Sequence, residues 1–503
     1  MSPIIVDDIV KHILTSKVYD VALETPLTHA PNLSREKGCS VYLKREDLQP
    51  VHSFKIRGAY NKMAHLSEDE KKKGVIAASA GNHAQGVALA AKKLGLDALI
   101  IMPTTTPSIK VEAVASYGAK IELYGDNYSE TYDYCEVRVR ETGRTFIHPF
   151  DDILVIAGQG TIGKEIMEQL SEVTHIFVSV GGGGLISGIA SYVKALKPSV
   201  KIISVEPKDS SALATSMAVG KRVELPHVGL FADGVAVKQM GILTYSFATN
   251  YVDDFITVNT DQICYAMKAV FEETRNILEP AGALAVAGLQ QYNLDKNAHA
   301  VAICSGANIT FEKLQQVAER ALIGSGKEAL FSVHMPEEPG AMHAFTTKVV
   351  KDRAITEFAY RLRRRSLAHV MVGVTVSGEK DKLKLIDKIR KEGFECSDFT
   401  DSDIAKEHIR HMVGGEAIEA ENEVFYQIEF PERPNALGNF LTVLANRWNI
   451  CLFHYRNTAS DTGNVLIGFE TDSTLELEEA LSEAGFKWTY VSNDAVIKIY
   501  LGS

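Results

Sequence analysis

Cysteine is scarce in this sequence, and the cysteines that occur lie far apart. The chain has 503 residues and six cysteines, and no two of them form a C-x-x-C pair. Closely paired cysteines are typical of zinc sites and of disulfide-stapled secreted domains. The sequence therefore predicts no metal centre and no disulfide framework, and it favours a reducing compartment.

An excess of positive charge and long apolar runs are also lacking. The formal net charge is −11, which argues against nucleic acid or an anionic membrane as the main partner. No apolar stretch reaches the roughly 20 residues that a membrane-spanning helix needs. The first residues, MSPIIVDDIVKHIL, include acidic residues and do not resemble a secretory signal. We expect a soluble, cytoplasmic protein without a nucleic-acid or membrane partner.

Short apolar runs alternate with amphipathic stretches between about residue 40 and residue 310. The runs interpreted as strands are VYLKRE (41–46), GVIAASA (74–80), DALIIMP (97–103), AKIELYG (119–125), HIFVSV (175–180), KIISVEP (201–207) and AVAICSG (300–306). Stretches rich in Ala, Glu and Lys lie between them and indicate helices. This alternation predicts a mainly parallel α/β sheet that holds ligands at the carboxyl ends of its strands.

The C-terminal part of the chain repeats itself. Pro336 aligns with Pro431, and the offset of 95 residues then holds without a gap. The matched pairs include Glu337 with Glu432, Pro339 with Pro434, Ala341 with Ala436, Phe345 with Phe440, Ile355 with Ile450, Phe358 with Phe453, Tyr360 with Tyr455 and Gly373 with Gly468. A fixed offset predicts two copies of one small α+β unit, with the order strand, turn, helix, strand, strand. Such small modules are more often sensors than catalysts.

A lysine stands among apolar residues in VHSFKIRGAY (51–60). Lys55 lies between Phe54 and Ile56, shortly before Gly58. Desolvation by such neighbours lowers the pKa of an amine towards its neutral, nucleophilic form. Lysines of this kind form Schiff bases with carbonyl cofactors such as pyridoxal phosphate (PLP). Taken alone, this pattern is more often that of an ordinary lysine whose aliphatic stem lies along a half-buried segment.

A run of glycines, GGGGL (181–185), directly follows the predicted strand HIFVSV and precedes the helical sequence ISGIASYVKAL. Four glycines let the backbone approach a ligand and point N–H groups at an anion, at a helix N-terminus that favours negative charge. The run has no G-K-[ST] ending and does not match G-x-G-x-x-G. It therefore predicts a site for a single phosphate, although tight turns use glycine too.

Two more stretches place small polar residues at predicted strand ends. SAGNH (79–83) can bind a substrate carboxylate through side chains and helix-end N–H groups. Simple capping of the helix by Ser79 or Asn82 is the alternative. CSGAN (304–308) places the neutral hydroxyl of Ser305 at the ligand-binding edge of the sheet, and an ordinary turn serine is the alternative there.

Together these stretches resemble the fold-type II PLP-dependent enzymes, the tryptophan-synthase-β-like family. The resemblance covers about residues 20–320 and rests on S-F-K-x-R-G-A, S-A-G-N-H and G-G-G-G-L. It implies two α/β subdomains and PLP as cofactor. The implied cofactor contacts are Lys55 as the catalytic Schiff-base lysine, Phe54 against the ring, Asn82 at the ring hydroxyl, Ser305 at the pyridine nitrogen, and Gly181, Gly182, Gly183, Gly184 and Leu185 at the phosphate. The implied substrate-carboxylate residues are Ser79, Ala80, Gly81, Asn82 and His83.

A serine opposite the pyridine nitrogen has a chemical consequence. A carboxylate there would keep the nitrogen protonated and the ring a strong electron sink, whereas Ser305 leaves the nitrogen near neutral. A carbanion at Cα is then stabilised less and expels a β-substituent, which favours β-elimination or β-replacement over transamination. Ala80 stands where the related serine racemases have a serine that acts as acid and base, so the resemblance also argues against racemisation.

With the doubled C-terminal unit, the resemblance extends over essentially the whole chain to the biosynthetic threonine deaminase family. VGLFADGVAV (228–237) and EPAGA (279–283) also fit that family, while His52 departs from its usual small residue. The resemblance implies dehydration and deamination of L-threonine to 2-oxobutanoate and ammonia, the first step of isoleucine biosynthesis. It further implies feedback inhibition by isoleucine, antagonism by valine and a homotetramer.

The resemblance and the repeat together predict the domain boundaries. We expect a PLP-dependent catalytic domain over 1–322, with a small subdomain, about 47–150, inserted in the larger one. Gly324-Ser-Gly326 predicts a hinge over 323–328. A tandem ACT-like α+β regulatory domain follows, with repeats over 329–415 and 424–503. The turns Pro336–Phe345 and Pro431–Phe440 and the strands that end at Tyr360 and Tyr455 are the expected effector surfaces.

Two alternatives stay open. An L-serine dehydratase or a cysteine-synthase-like β-replacement enzyme would share Lys55 and the glycine run. An amino-acid-sensing binding protein with a vestigial catalytic domain belongs to another class. Retention of Lys55, Asn82, the glycine run and Ser305 argues against that second alternative.

Overall fold

The chain folds as two compact units, Met1–Ala321 and Leu322–Ser503. The computed structural model describes residues 4–336, 338, 340–361, 368–402, 405–406, 410, 420–431, 436–444, 447–456, 462–494, 497 and 501. Within this described part, no helix is both long enough and apolar enough to cross a membrane. All six cysteines are free thiols.

The first unit contains two sheets and the helices that cover them. Its strands are β1 (Leu27–His29), β2 (Ser40–Arg45), β3 (Val75–Ala78), β4 (Ala98–Met102), β5 (Lys120–Leu123), β6 (Thr145–Phe146), β7 (His175–Ser179), β8 (Lys201–Pro207), β9 (Asp254–Val258) and β10 (His299–Cys304). Its helices are α1 (Ile4–Leu14), α2 (Pro31–Lys37), α3 (Lys55–Ala64), α4 (Glu68–Lys73), α5 (Asn82–Leu94), α6 (Ser108–Ala115), α7 (Tyr128–Thr142), α8 (Ile153–Gln169), α9 (Gly184–Leu196), α10 (Ala212–Val219), α11 (Ile242–Tyr251), α12 (Thr260–Thr274), α13 (Pro280–Gln291) and α14 (Lys313–Gly324), which runs past the unit boundary.

The larger sheet has the strand order β1-β2-β10-β7-β8-β9. Only β1 pairs antiparallel within it, and its other strands are parallel. The smaller sheet, β5-β4-β3-β6, is parallel throughout. Each apolar run that was interpreted as a strand overlaps an observed strand, so the prediction of a mainly parallel α/β body is confirmed.

Burial explains why these strands appear in the sequence as continuous apolar runs. Every residue of β3 and β4 is buried, and in β7 and β8 only the first residue is not. Strands of a parallel sheet with both faces covered are apolar on both sides and show no alternation. The carboxyl ends of these strands lead into the loops that carry the candidate site.

The second unit contains one sheet with helices. Its described strands are β11 (Glu328–Met335), β12 (Ile355–Arg361), β13 (Ala368–Thr375), β14 (Glu395–Asp398), β15 (Glu423–Pro431), β16 (Asn449–Arg456), β17 (Thr462–Glu470) and β18 (Trp488–Tyr490). Its described helices are α15 (Ala341–Ala344), which continues into a π-helical turn (Phe345–Val350), α16 (Glu379–Lys391), α17 (Ala436–Leu444) and α18 (Thr474–Glu483).

The strand order of this sheet is β14-β11-β13-β12-β16-β17-β15-β18, which is symmetric about the β12–β16 pair. A register shift between Ile355 and Glu357 has its counterpart between Ile450 and Leu452, at the offset seen in the sequence. The symmetric order and the equivalent shifts confirm the predicted repeat. Among the matched residue pairs of the two turns, Glu337, Pro339, Glu432 and Pro434 lie outside the described residues.

Candidate active site

Lys55 is the first residue of α3, and its side chain is partly exposed. Its Nζ donates a hydrogen bond to the carbonyl oxygen of Pro149 at 2.9 Å and lies 5.3 Å from the centre of the Phe54 ring. Burial lowers the pKa of Lys55 to about 8, against the opposing effect of the Glu279 carboxylate. A fraction of the amine is therefore neutral near pH 7, and it can act as a nucleophile or a base.

A buried cluster of charges holds the first turn of α3. Arg57 pairs with Glu46 at 2.8 Å and with Glu165 at 2.5 Å, and Lys44 pairs with Glu165 at 2.6 Å. None of the four side chains has exposed surface, so pairing is what makes their burial tolerable. Helix α8 also approaches closely, since a Cβ on Gly158 would lie 2.7 Å from the Arg57 carbonyl oxygen. These contacts fix the backbone from which the Lys55 side chain extends.

The glycine run forms the turn between β7 and α9. A Cβ on Gly182 would lie 2.2 Å from the Phe150 ring, and Gly183 has a φ of 90°. Glycine is therefore required here for close packing and for a left-handed backbone. The thirteen-residue helix α9 begins at Gly184 without a side-chain cap, and Leu185 in its first turn is buried. An uncapped helix N-terminus next to a closely approaching backbone fits a phosphate group.

The SAGNH stretch forms the turn between β3 and α5. Gly81 occupies the N-cap position without a side-chain cap, and Asn82 is already helical. The alternative in which Ser79 or Asn82 only caps the helix is therefore wrong. The Ser79 hydroxyl instead accepts a hydrogen bond from the Gly81 N–H at 3.3 Å. Residues 79–82 are partly exposed, with Ala80 among them, as a ligand-binding turn requires.

His83 is buried, and its ring contacts the backbone. Its Nε2 lies 2.7 Å from the carbonyl oxygen of Ile147. Burial and the nearby Lys55 charge lower the pKa of His83 to about 3, so the ring is neutral. Because Ile147 offers only an acceptor, Nε2 must carry the ring proton. The ring nitrogen Nε2 is thus engaged by the Ile147 backbone.

Asn82 connects two segments that are distant in sequence. Its Nδ2 donates to Glu279 Oε1 at 2.6 Å, and its Oδ1 accepts from Asn308 Nδ2 at 2.6 Å. Asn308 Nδ2 also donates to the Val51 carbonyl oxygen at 2.8 Å. Glu279 is buried, and desolvation together with the nearby Asp233 charge raises its pKa to about 7. The amide of Asn82 is held from both sides.

Ser305 lies at the carboxyl end of β10, against the lysine segment. Its carbonyl oxygen accepts a hydrogen bond from the Phe54 N–H at 3.2 Å, and Ser53 forms a β-bridge with Gly306. The Ser305 hydroxyl is buried and donates to the Ala281 carbonyl oxygen at 3.3 Å. The structure thus brings this serine, Phe54 and the lysine that follows it together.

Sequence reasoning gave no role to Glu279, Asn308 or Phe150. The first two belong to EPAGA and CSGAN, but an acidic residue before a helix is ordinary at a helix start, and an asparagine after Gly-Ala is ordinary in a turn. Phe150 lies between β6 and α8, in a segment without periodicity. No local signal could have paired it with Gly182.

Known proteins resemble this chain over nearly its whole length. A family profile described as pyridoxal-phosphate dependent enzyme matches residues 18–306, and one described as C-terminal regulatory domain of threonine dehydratase matches 319–409 and 414–501. The biosynthetic L-threonine dehydratase of Burkholderia multivorans is 47% identical over 98% of this chain and 99% of its own length. The chloroplastic biosynthetic threonine dehydratase of Arabidopsis thaliana is 48% identical over 97% of this chain and 83% of its own length.

Solved structures show the same likeness and confirm the fold-type II prediction. The processed form of threonine deaminase isoform 2 from Solanum lycopersicum matches with a TM-score of 0.63 and 48% identity, over 64% of this chain and 94% of that chain. Maize serine racemase matches with a TM-score of 0.58 and 34% identity, over 63% of this chain and 97% of that chain. This chain belongs to the pyridoxal-phosphate dependent enzyme family, among the biosynthetic threonine dehydratases with a C-terminal regulatory domain.

Proposed function

We propose that this chain converts L-threonine to 2-oxobutanoate and ammonia with PLP bound at Lys55, and that isoleucine inhibits the reaction. The observation that carries the proposal is the environment of Lys55. Its pKa is lowered to about 8 by burial, and its Nζ contacts Pro149, next to the Phe150 ring that packs on Gly182. The segment Pro149-Phe150 therefore contacts both the nucleophilic amine and the turn that would bind the phosphate.

The residues present fit PLP. The turn at Gly182 and Gly183 has no room for side chains and leads into an uncapped helix, as a phosphate requires. The Ser53 hydroxyl is buried and has no hydrogen-bond partner among the described residues, as expected of a polar group placed for a ligand. When bound, PLP supplies an electron sink for the bonds at the Cα atom of the substrate.

The chain's own residues handle the substrate and its protons. The N-terminus of α5, with Ser79 and Asn82, binds the substrate carboxylate. With the substrate amine in place of Lys55 on the cofactor, the freed Lys55 Nζ would take the Cα proton as a general base. Lys55 or the cofactor phosphate would then protonate the β-hydroxyl, which leaves as water. The released enamine takes up water and gives 2-oxobutanoate and ammonia. The Ser305 hydroxyl, which donates to the Ala281 carbonyl oxygen here, would turn to the pyridine nitrogen in place of a carboxylate, and this favours elimination over transamination.

L-Serine is expected to be a poorer substrate of the same site. It lacks one methyl group, and a pocket gains about 1–3 kcal/mol from such a group. An L-serine dehydratase or a β-replacement enzyme would show the reverse preference or would need a thiol. Product analysis with threonine, with serine, and with serine plus a thiol separates these activities.

The test compares the wild type with Lys55→Ala, before and after threonine is added. The wild type is expected to show the visible band of lysine-bound PLP and to release an oxoacid. Lys55→Ala is expected to lose the band and at least about 100-fold of the activity, because it lacks the base. Circular dichroism checks that the variant is folded.

Lys62→Ala is the matched control. Lys62 lies on the same helix and pairs with Asp152 at 2.7 Å, away from the cofactor contacts. It is expected to keep both the band and the oxoacid release. A wild type that shows no band after PLP is supplied would contradict the enzyme proposal and favour an amino-acid-sensing protein.

The second unit contains a groove that suits one amino acid. Residues from both repeats line it, among them Met335, Glu338, Tyr360, Leu441, Trp448 and Ile450, and it opens to solvent. Apolar walls beside the Glu338 carboxylate, the His343 ring and the Asn449 amide suit the side chain and the charged groups of an aliphatic amino acid. The turn that begins at Pro336 and the strand that ends near Tyr360, both expected effector surfaces, contribute to this groove.

We assign isoleucine and its antagonist valine to this groove. Regulation then requires only that the two amino acids prefer different conformations of the protein. The regulated protein is proposed to be a homotetramer, as the family resemblance implies. Light scattering on the purified protein, with and without isoleucine, measures the assembly.

A further inference from the structure

A chain of hydrogen bonds runs in one direction through Asn82. It begins at the Val51 carbonyl oxygen, which accepts from Asn308 Nδ2 at 2.8 Å. The same NH₂ group donates to Asn82 Oδ1, and Asn82 Nδ2 donates to Glu279 Oε1. A backbone carbonyl accepts and does not donate, and so does the Glu279 carboxylate once it is ionised, above its pKa of about 7. Because both ends of the chain are acceptors, the orientation of each amide between them is determined.

Turning the Asn82 amide by 180° would break both of its bonds. Its Nδ2 would face the NH₂ group of Asn308, which places two donors together. Its Oδ1 would face the Glu279 carboxylate, which places two acceptors together, and Glu279 is only 4% exposed. Buried polar groups without partners are costly. The amide therefore keeps one orientation, in which one N–H binds Glu279 and the second N–H remains for a ligand.

We propose that Glu279 and Asn308 are positioning residues that make Asn82 a hydrogen-bond donor towards the ring oxygen of bound PLP. The inference rests on the proposed function, with Asn82 at the ring hydroxyl as the family resemblance implies. A donor stabilises the ionised oxygen, whereas an amide carbonyl in the same place would stabilise the ring O–H. Lysine-bound PLP with an ionised ring oxygen absorbs in the visible, and the form with a ring O–H absorbs in the near ultraviolet. The ratio of the two bands therefore reports the orientation of Asn82.

The test uses the full-length protein saturated with PLP and the variants Glu279→Gln and Asn308→Asp. A glutamine at 279 can turn its own NH₂ group towards Asn82 and so permits the reversed orientation. A carboxylate at 308 attracts an N–H of Asn82 away from the cofactor. In both variants the ratio of the visible to the near-ultraviolet band is expected to fall about 3- to 10-fold, which corresponds to one hydrogen bond. The dissociation constant of PLP is expected to rise by a similar factor.

Glu273→Gln is the matched control. Glu273 accepts hydrogen bonds from the backbone N–H and Nδ2 of Asn32. The substitution therefore changes a glutamate–asparagine pair like that of Glu279 and Asn82, but outside the site. This variant is expected to keep the wild-type ratio. Wild-type ratios in Glu279→Gln and Asn308→Asp, even with lower melting temperatures, would overturn the inference and leave both residues a structural role. A wild type that binds no PLP would instead overturn the proposed function, and the inference with it.

Discussion

The Arg57 Nη1 atom lies 2.5 Å from the Glu165 Oε1 atom, and neither side chain has exposed surface. Arg57 also pairs with Glu46, and Glu165 also pairs with Lys44. Two positive and two negative charges therefore balance one another inside the protein. Arg57 lies in the first turn of α3, which begins at Lys55, so the position of the Lys55 amine depends on this cluster.

Arg57→Leu is expected to destabilise the first unit by about 3–5 kcal/mol, because two buried carboxylates then share a single cation. Unfolding in urea, followed by far-ultraviolet circular dichroism, measures the loss. Arg138→Leu is the control, since Arg138 pairs with Glu122 and Glu141 at a partly exposed site and its loss is expected to cost much less stability. Equal losses in the two variants would contradict the role assigned to the cluster.

Gly182→Ala is expected to weaken PLP binding about 10-fold, because overpacking costs about 1–3 kcal/mol. The new Cβ would lie 2.2 Å from the Phe150 ring, and the turn must shift to relieve this contact. The shift moves backbone N–H groups away from the phosphate. Equilibrium dialysis of PLP measures the change.

Gly220→Ala serves as the control for that experiment. Gly220 has a φ of 75° and open space around its Cβ position, so alanine strains the backbone without touching the site. We expect lower stability but an unchanged affinity for PLP. Equal affinities in Gly182→Ala and the wild type would show that the turn tolerates a side chain. PLP binding would then not depend on a close approach of the turn's backbone to the phosphate.

The rate at which cofactor-free protein takes up PLP is expected to rise with pH and to level off above about pH 8. Burial lowers the pKa of Lys55 to about 8, so below that pH most of the amine is protonated and cannot attack a carbonyl group. The rate should fall about tenfold for each pH unit below the pKa. Stopped-flow absorbance follows the uptake. A midpoint near pH 10 would mean that Lys55 behaves as an ordinary exposed lysine.

Glu338→Gln is expected to raise the isoleucine concentration for half inhibition about 10-fold. A hydrogen bond to a charged group contributes about 1.5–3 kcal/mol, and because Glu338 is exposed the low end of that range applies. Glu338 is the carboxylate that lines the groove of the second unit. Inhibition curves measured on oxoacid release give the shift. Glu395→Gln, on an exposed glutamate of β14 outside that groove, is expected to match the wild type. An unchanged curve for Glu338→Gln would place isoleucine elsewhere.

Local patterns were sufficient for the elements of the fold. The apolar run KIISVEP coincides with strand β8, Lys201–Pro207, and GNHAQGVALAAKKLG contains helix α5, Asn82–Leu94. The fixed offset in the C-terminal part predicted a duplicated unit, and the symmetric sheet order confirms it. These successes have one cause, since strands buried on both faces and duplicated units leave their pattern within short windows of sequence.

Short windows of sequence did not predict that the parallel strands divide into two sheets. Strands β3 to β6 form their own sheet, although β3 and β4 have the same apolar character as β7 and β8. His83 shows the same limit within the site. Its ring bonds to the carbonyl oxygen of Ile147, a residue of another segment, and no pattern within SAGNH predicts that contact.

The sequence by itself determined the chemical groups of the site: a lysine among apolar residues, a glycine turn before a helix, and a serine at a strand end. Only the tertiary structure decided how those groups are held. Asn82 is bonded to Glu279, 197 positions away, and to Asn308, 226 positions away. Such bonds depend on which strand ends and loops are packed side by side, and packing between distant segments leaves no local pattern in the chain.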